Sequence, residues 1–180
     1  MEELPWYAEL REQWRPDPVR VLLVGESAPH PGARDRRFFY APRLDAHDNL
    51  FRGVVEALYE RIPRGMTGAE KAPWLTRLRR DGFFLIDLCP YPVNKLAEDE
   101  RAARRLRKAA HREHAPACTQ RAVSLEPDGV IICHDPSYRV LADRMRAQGL
   151  RVLHDAPIPF PLRNKREQFV RGVREALKRL

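Results

Sequence analysis

The sequence predicts an α/β fold, a three-layer α/β/α sandwich built on a short four-stranded parallel sheet. Three observations predict it. Short, nearly uninterrupted apolar runs, Val21-Leu22-Leu23-Val24, Phe83 to Leu88 and Val130-Ile131-Ile132-Cys133, have the composition of strands buried on both faces, which belong to parallel sheets. Segments of helical periodicity separate these runs, and crossovers of that length join parallel neighbours with right-handed connections. Each run stops at a cluster of Gly, Pro and polar residues, so that reactive side chains collect where strands end.

The elements follow in order. Leu4, Tyr7 and Trp14 share a helical face before Pro16 and Pro18 end that segment. The first strand, Val21 to Val24, breaks at Gly25-Glu26-Ser27-Ala28-Pro29-His30-Pro31-Gly32, and the aromatic triplet Phe38-Phe39-Tyr40 follows. Asp48 or Asn49 can cap a helix with Leu50, Val54 and Leu58 on one stripe, running to about Arg61. A connector with Gly65 and Gly68 leads to a helix over Lys71 to Arg80, carrying Trp74, Leu75 and Leu78.

Gly82 introduces the second strand, which carries Asp87 and stops at Cys89-Pro90-Tyr91-Pro92, with Asn94 and Lys95 in the loop beyond. Glu98 to His114 is the most charged segment and reads as a solvated helix, acidic first and basic later as the macrodipole favours. Pro116 and Cys118 open a separate helical stretch through Leu125, ended by Pro127-Asp128-Gly129. After the third strand, Asp135 as N-cap and Pro136 at the first helical position begin a helix that Gly149 closes. Arg151-Val152-Leu153-His154 is the fourth strand, Ala156 to Leu162 a proline-rich loop, and Lys165 to Leu180 a last helix with Phe169, Val173 and Leu177 on one face.

A chain of 180 residues fills one core, so residues 1–180 are read as a single domain. No apolar run approaches the roughly 20 residues of a membrane span, and Met1 is followed by acidic and aromatic residues instead of a secretory signal. The expectation is a cytoplasmic protein without a membrane partner. Thirty-three Lys and Arg against twenty-five Asp and Glu give a net charge of +8, which favours nucleic acid as partner. Cys89, Cys118 and Cys133 are scattered, with no C-x-x-C pair, so neither a disulfide framework nor a four-thiolate cluster is expected. Cys133 closes a strand run and reads as a core residue. No clustered Cys/His spacing points to a metal, and no cofactor is expected.

In a parallel sheet the carboxyl ends of all strands lie along one edge. Glu26 and Ser27, Asp87, His134 and the loop after Leu153 therefore converge there. Glu26 and Asp87 at two strand exits can position a water, accept protons or bind a base edge. A single carboxylate at a strand end is more often a cap; two, each at a strand exit, point to a site. His134 and His154 are alternative acids at strand ends.

Gly25-Glu26-Ser27-Ala28-Pro29 with Phe39 downstream, Leu85-Ile86-Asp87-Leu88, and Ala156-Pro157-Ile158-Pro159-Phe160-Pro161-Leu162 resemble, in order and interval, the motifs of the uracil-DNA glycosylase superfamily. The resemblance runs from Val21 to the last helix and implies a uracil-DNA glycosylase-like fold and a DNA partner, single-stranded or lesion-containing. It implies that Glu26, with Ser27 beside it, orients or activates the hydrolytic water. It further implies that Phe39 stacks on a flipped base, with Phe38 or Tyr40 taking that place if the loop shifts register. Asp87 corresponds to the base-reading Asn of several members. An ionised carboxylate only accepts, so it suits an exocyclic amino group; held protonated, it could donate to a carbonyl.

The last motif departs from the family pattern, because Ile158 stands where a His stabilises the departing base. An apolar side chain cannot donate to a leaving anion, a loss of about 100-fold or more in rate. Phe160 is the expected wedge into the duplex, and Arg163, Asn164, Lys165 and Arg166 the expected phosphate contacts. Two functions follow from the resemblance and its departures. One is a DNA base N-glycosylase acting on a deaminated or damaged base; the other is a catalytically weak or inactive nucleic-acid or nucleobase-binding module of the same fold.

Overall fold

Three parallel strands, β1 (Val21–Gly25), β2 (Phe83–Asp87) and β3 (Gly129–Ile132), form one sheet in the order β2-β1-β3. A computed structural model of the chain describes residues 5–28, 38–94 and 96–180, and only the backbone of residues 5 and 6. Leu4, Pro29, His30, Pro31, Gly32 and Lys95, singled out in the sequence, lie outside the described residues. All five residues of β1 are buried, as a central strand requires. β2 and β3 flank β1 on opposite sides, so the strand order reverses beside β1, the switch point at which α/β sheets open a crevice.

Six α-helices surround the described sheet: α1 (Pro5–Gln13), α2 (Asn49–Leu58), α3 (Ala72–Arg80), α4 (Glu100–Ser124), α5 (Asp135–Ala147) and α6 (Arg166–Leu177). α2 packs on α6 and α4 on α5, while α3 lies against β2 and α5 against β3. Tyr7, Phe51, Phe84 and Phe169 are among the largest fully buried side chains. Burying a Phe of this kind stabilises the fold by about 1.5–3 kcal/mol. None of the described helices is long and apolar enough to cross a membrane.

The sheet has three strands where four are expected. Arg151 to His154 makes a single parallel bridge, Val130 with Val152, through Val130 N–H to Arg151 O at 2.8 Å and Leu153 N–H to Val130 O at 2.9 Å. The ladder then ends, because the next donor of β3, the Ile132 N–H, bonds to the His154 ring at Nε2, 3.0 Å away. The imidazole stands in for the missing backbone carbonyl. His154 Nδ1–H donates to Ala156 O at 2.8 Å, so both ring nitrogens are occupied by structure and His154 is not a free acid.

The charged segment is also longer than expected. From Glu100 onward the charged segment and the stretch opened by Pro116 are one continuous helix, α4, with Asp99 as N-cap and Pro116 inside it. His111, Ala115, Cys118 and Ala122 form one buried stripe across the proline, and packing along that stripe outweighs the hydrogen bond the proline cannot make. α5 begins at Asp135, one residue earlier than expected, with His134 as N-cap. Its end follows the sequence: Gly149 has φ +80, its N–H bonds Arg146 O at 2.9 Å, and Leu150 N–H bonds Met145 O at 3.0 Å. Asp48 precedes α2 without capping its N–H groups, since its carboxylate instead pairs with buried Lys71 at 2.8 Å. Cys89, Cys118 and Cys133 are free and buried.

Candidate functional site

The β1–β2 ladder continues past its regular end, and this extension fixes the first site residue. Leu88 N–H bonds Gly25 O at 3.1 Å, and Cys89 N–H bonds Glu26 O at 2.8 Å. Glu26 is therefore anchored by its backbone, with its side chain directed from the strand end toward α4. Ser27 Oγ accepts from Val93 N–H at 3.3 Å and so ties the loop after β2 to the loop after β1.

Asp87 is in register with Gly25, and its carboxylate occupies the space that a side chain on Gly25 would take. Arg11 of α1 reaches it, with Nη2 3.7 Å from Oδ2, and both side chains are almost fully buried. That pairing suits an ionised, purely accepting Asp87.

The aromatic triplet is held by the edge of β2. Tyr40 O–H donates to Leu85 O at 3.1 Å while its oxygen accepts from Leu85 N–H at 2.6 Å. Phe38 and Phe39 are brought beside it by edge-on ring contacts, Phe38 to Tyr7 at 4.8 Å and Phe39 to Phe51 at 5.3 Å between centroids. Lys71, fully buried, donates from Nζ to Phe38 O at 2.9 Å and Phe39 O at 3.3 Å. Burial pulls the Lys71 amine below its ordinary pKa, and Asp48 opposes that fall.

These elements enclose a cavity of about 230 Å³ whose walls include Glu26, Ser27, Phe39, Asp87, Asn94 and Phe160. Of the first two motifs, Glu26, Ser27, Ala28, Phe39, Leu85 and Asp87 line it, as does Phe160; Ile86 and Leu88 do not, and Gly25 leaves room for the Asp87 carboxylate. His134 stands behind the wall: its ring meets Phe160 edge-on at 6.1 Å, and Nδ1 lies 2.9 Å from Ser137 Oγ and 3.9 Å from Glu26 Oε1. Ile158 is buried against Gly172 of α6 and is not part of that wall. On the same loop, Leu162 is the exposed apolar side chain, at 48 %. Arg163, Asn164 and Lys165 form a 3₁₀ turn leading into α6, and Arg163, Asn164 and Arg166 line a second cleft beside the first.

Two residues that the sequence left on a solvated helix belong to the site. Arg107 of α4 grips both oxygens of Glu26 through Nε and Nη2, and His111, one turn on, lies with Nε2 2.6 Å from Oε1. A contact that short carries a proton, so Nε2–H donates. The i, i+4 spacing of Arg107 and His111, with His111 on the stripe of Ala115 and Cys118, is the one sequence signal that marks them.

Burial pushes the Glu26 carboxyl up, but the hydrogen bonds from His111 and Arg107 outweigh it and bring it down to about 2. Burial of the His134 ring, opposed by Glu26, brings its pKa down to about 4. At neutral pH the pair is a carboxylate beside an uncharged imidazole. Glu26, His111 and His134 offer ligand atoms within 4.8 Å of one another, a set that could hold a metal ion among the described residues. Both Glu26 oxygens are already bonded to Arg107, so a cation would have to displace the guanidinium.

The arrangement can seat one planar ring against the aromatic side chains of its wall, present an acceptor to its edge from Asp87, and hold the Arg107-paired carboxylate of Glu26 in the same wall. No family model matches the chain, and no curated protein or solved structure matches it.

Proposed function

We propose that this protein is a DNA base N-glycosylase, releasing a deaminated or damaged base that has been turned out of the strand. The observation that carries this reading is the shared cavity: Glu26, Phe39 and Asp87, distant in sequence, line one crevice at the carboxyl edge of a parallel sheet. Its volume of about 230 Å³ lies below the roughly 300–1,000 Å³ of pockets for drug-sized ligands. A single nucleobase is the class of ligand that fits.

In this reading Phe39 replaces the stacking partners an extruded base loses, and Asp87 accepts from an N–H group on its edge. The bond from sugar C1′ to the base nitrogen breaks with its electron pair leaving on the base. A water oxygen then bonds to C1′ and gives up its proton to solvent, and the departed base anion takes a proton from solvent, so that one water is added across the broken bond. Glu26, ionised down to about pH 2, is too weak a base to take that proton early; it orients the water and stabilises positive charge developing on the sugar. Leu162 is the apolar group available to fill the gap left in the stack, with Phe160 turned to the cavity.

A second reading, a nucleobase-binding module without turnover, draws on Ile158 and on the two oxygens of Glu26 held by Arg107. The discriminating experiment incubates the protein with single-stranded and duplex oligonucleotides carrying uracil, hypoxanthine or other deaminated bases, and reads alkali-labile strand scission. Scission at a lesion, abolished by Glu26→Gln, supports the hydrolase. Retained binding without scission across the panel supports the binding module.

A further inference from the structure

We infer that a second cleft, lined by arginines and sharing a wall residue with the base cavity, binds a backbone phosphate next to the base that the first cavity holds. The inference rests on the base-binding reading and extends it to the strand that carries the base.

The cleft has a volume of about 520 Å³ and lies between α2, the connector after it and the turn before α6. Five arginines line it, Arg52, Arg61, Arg64, Arg163 and Arg166, against one carboxylate, Glu56. Glu56 is divided between two of them, Arg61 at 3.5 Å and Arg166 at 3.7 Å. Arg52 is buried and spends its donors on the carbonyls of Asp45, Pro63 and Met66, so it shapes the wall. Arg61, Arg64 and Arg163 are exposed, with donors in reach of a ligand. Arg163 is held at φ +53, a conformation seldom adopted outside glycine, which fixes where the turn leaves the loop.

So many guanidinium groups around one carboxylate repel one another: burial lowers the pKa of Arg166, Glu56 opposes the fall, and Arg52, Arg61 and Arg64 add to it. An anion relieves that repulsion. Planar guanidinium forks match phosphate oxygens in pairs, which makes a phosphate the anion best suited to this lining. Asn49 lines both clefts, and its Oδ1 lies 3.5 Å from Arg166 Nη2, so a group in one space is about a side chain away from a group in the other. A nucleotide has that geometry: a base in the first, its flanking phosphodiester in the second.

The test measures fluorescence anisotropy of a labelled single-stranded oligonucleotide over a salt series, with thermal melts confirming the fold of each variant. Arg61→Ala with Arg64→Ala is expected to weaken binding by about tenfold and to make the slope of log affinity against log salt shallower by about one. Arg105→Ala with Arg112→Ala, on the exposed face of α4, is the control and is expected to change affinity by no more than about twofold. Equal effects of the two pairs, or no binding by wild type at low salt, overturns the inference. A deoxynucleoside monophosphate that competes as well as a dinucleotide with an internal phosphodiester overturns the assignment to a strand. Base release with no special effect of Arg61 and Arg64 removes the cleft and leaves the hydrolase; the salt effect without base release does the reverse.

Discussion

Gly25 and Asp87 face each other across the β1–β2 ladder, and the carboxylate of one fills the volume that a side chain on the other would need. A Cβ on Gly25 would lie 2.6 Å from Asp87 Oδ1. Gly25→Ala is expected to push the carboxylate out of the cavity wall, lowering stability by about 1–3 kcal/mol and ligand affinity by at least about tenfold. Chemical denaturation and oligonucleotide binding check this together; if neither changes, the carboxylate has room to turn aside and the relationship is not a constraint.

Lys71 is expected to be the side chain whose loss most disturbs the aromatic wall. Lys71→Met leaves the buried Asp48 carboxylate without its ammonium partner and two carbonyls of the Phe38-Phe39 turn without their donor. Breaking a buried pair by removing one partner costs about 3–5 kcal/mol. Adding Asp48→Leu should recover part of that loss, because no uncompensated charge remains. Urea titration of both variants measures it, and a double variant less stable than Lys71→Met would contradict it.

The two shifted groups near the cavity tie stability to pH in the same direction. His134 falls from 6.5 to about 4 and Glu26 from 4.5 to about 2, so in each window the unfolded chain holds a proton that the folded chain does not. The His134 contribution is whole above pH 6.5 and is lost as pH falls toward 4; that of Glu26 is whole above 4.5 and lost toward 2. His154, lowered by burial, acts in the same sense, since protonating it ends its bond from Ile132 N–H. The melting temperature is expected to decline steadily on acidification, and His134→Asn to flatten the upper part of the curve. A curve that stays level from neutral pH down to about 4 would sink this account.

Arg107 is expected to set the acid limit of any reaction that needs Glu26 ionised. Without its two hydrogen bonds, burial is opposed chiefly by His111 and the Glu26 pKa rises. In Arg107→Ala the acidic limb of the pH–rate profile should move up by at least about one pH unit. An unmoved limb, with Glu26 still required, would assign Arg107 to positioning alone.

The three buried strands were legible because uninterrupted apolar runs have few other uses, and the residues at their ends were legible because strand exits share an edge. Phe39 was singled out by the family resemblance, with Phe38 and Tyr40 as alternatives, and both Phe38 and Phe39 line the cavity. The fourth strand misled because Val152 and Leu153 look like β-residues, while the event that ends the ladder is a side chain, His154, taking a backbone role. Arg107 and His111 escaped for a related reason: their partner, Glu26, lies 81 and 85 residues away, and their i, i+4 spacing is a weak signal within a helix so rich in charge. Pro116 read as a boundary because a proline's local cost is visible in sequence, whereas the packing that offsets it is not.

The hydroxyl of Tyr40 has an effect on the outer border of the sheet. β2 is the lateral strand, and at Leu85 its amide and carbonyl are both taken by that phenol. A foreign strand trying to zip onto this border meets an occupied rung at its midpoint, which guards against edge-to-edge polymerisation. The same rung couples the border to the crevice: peeling Tyr40 away to admit a neighbour would also drag Phe39, the residue before it and in ring contact with it, from the crevice wall.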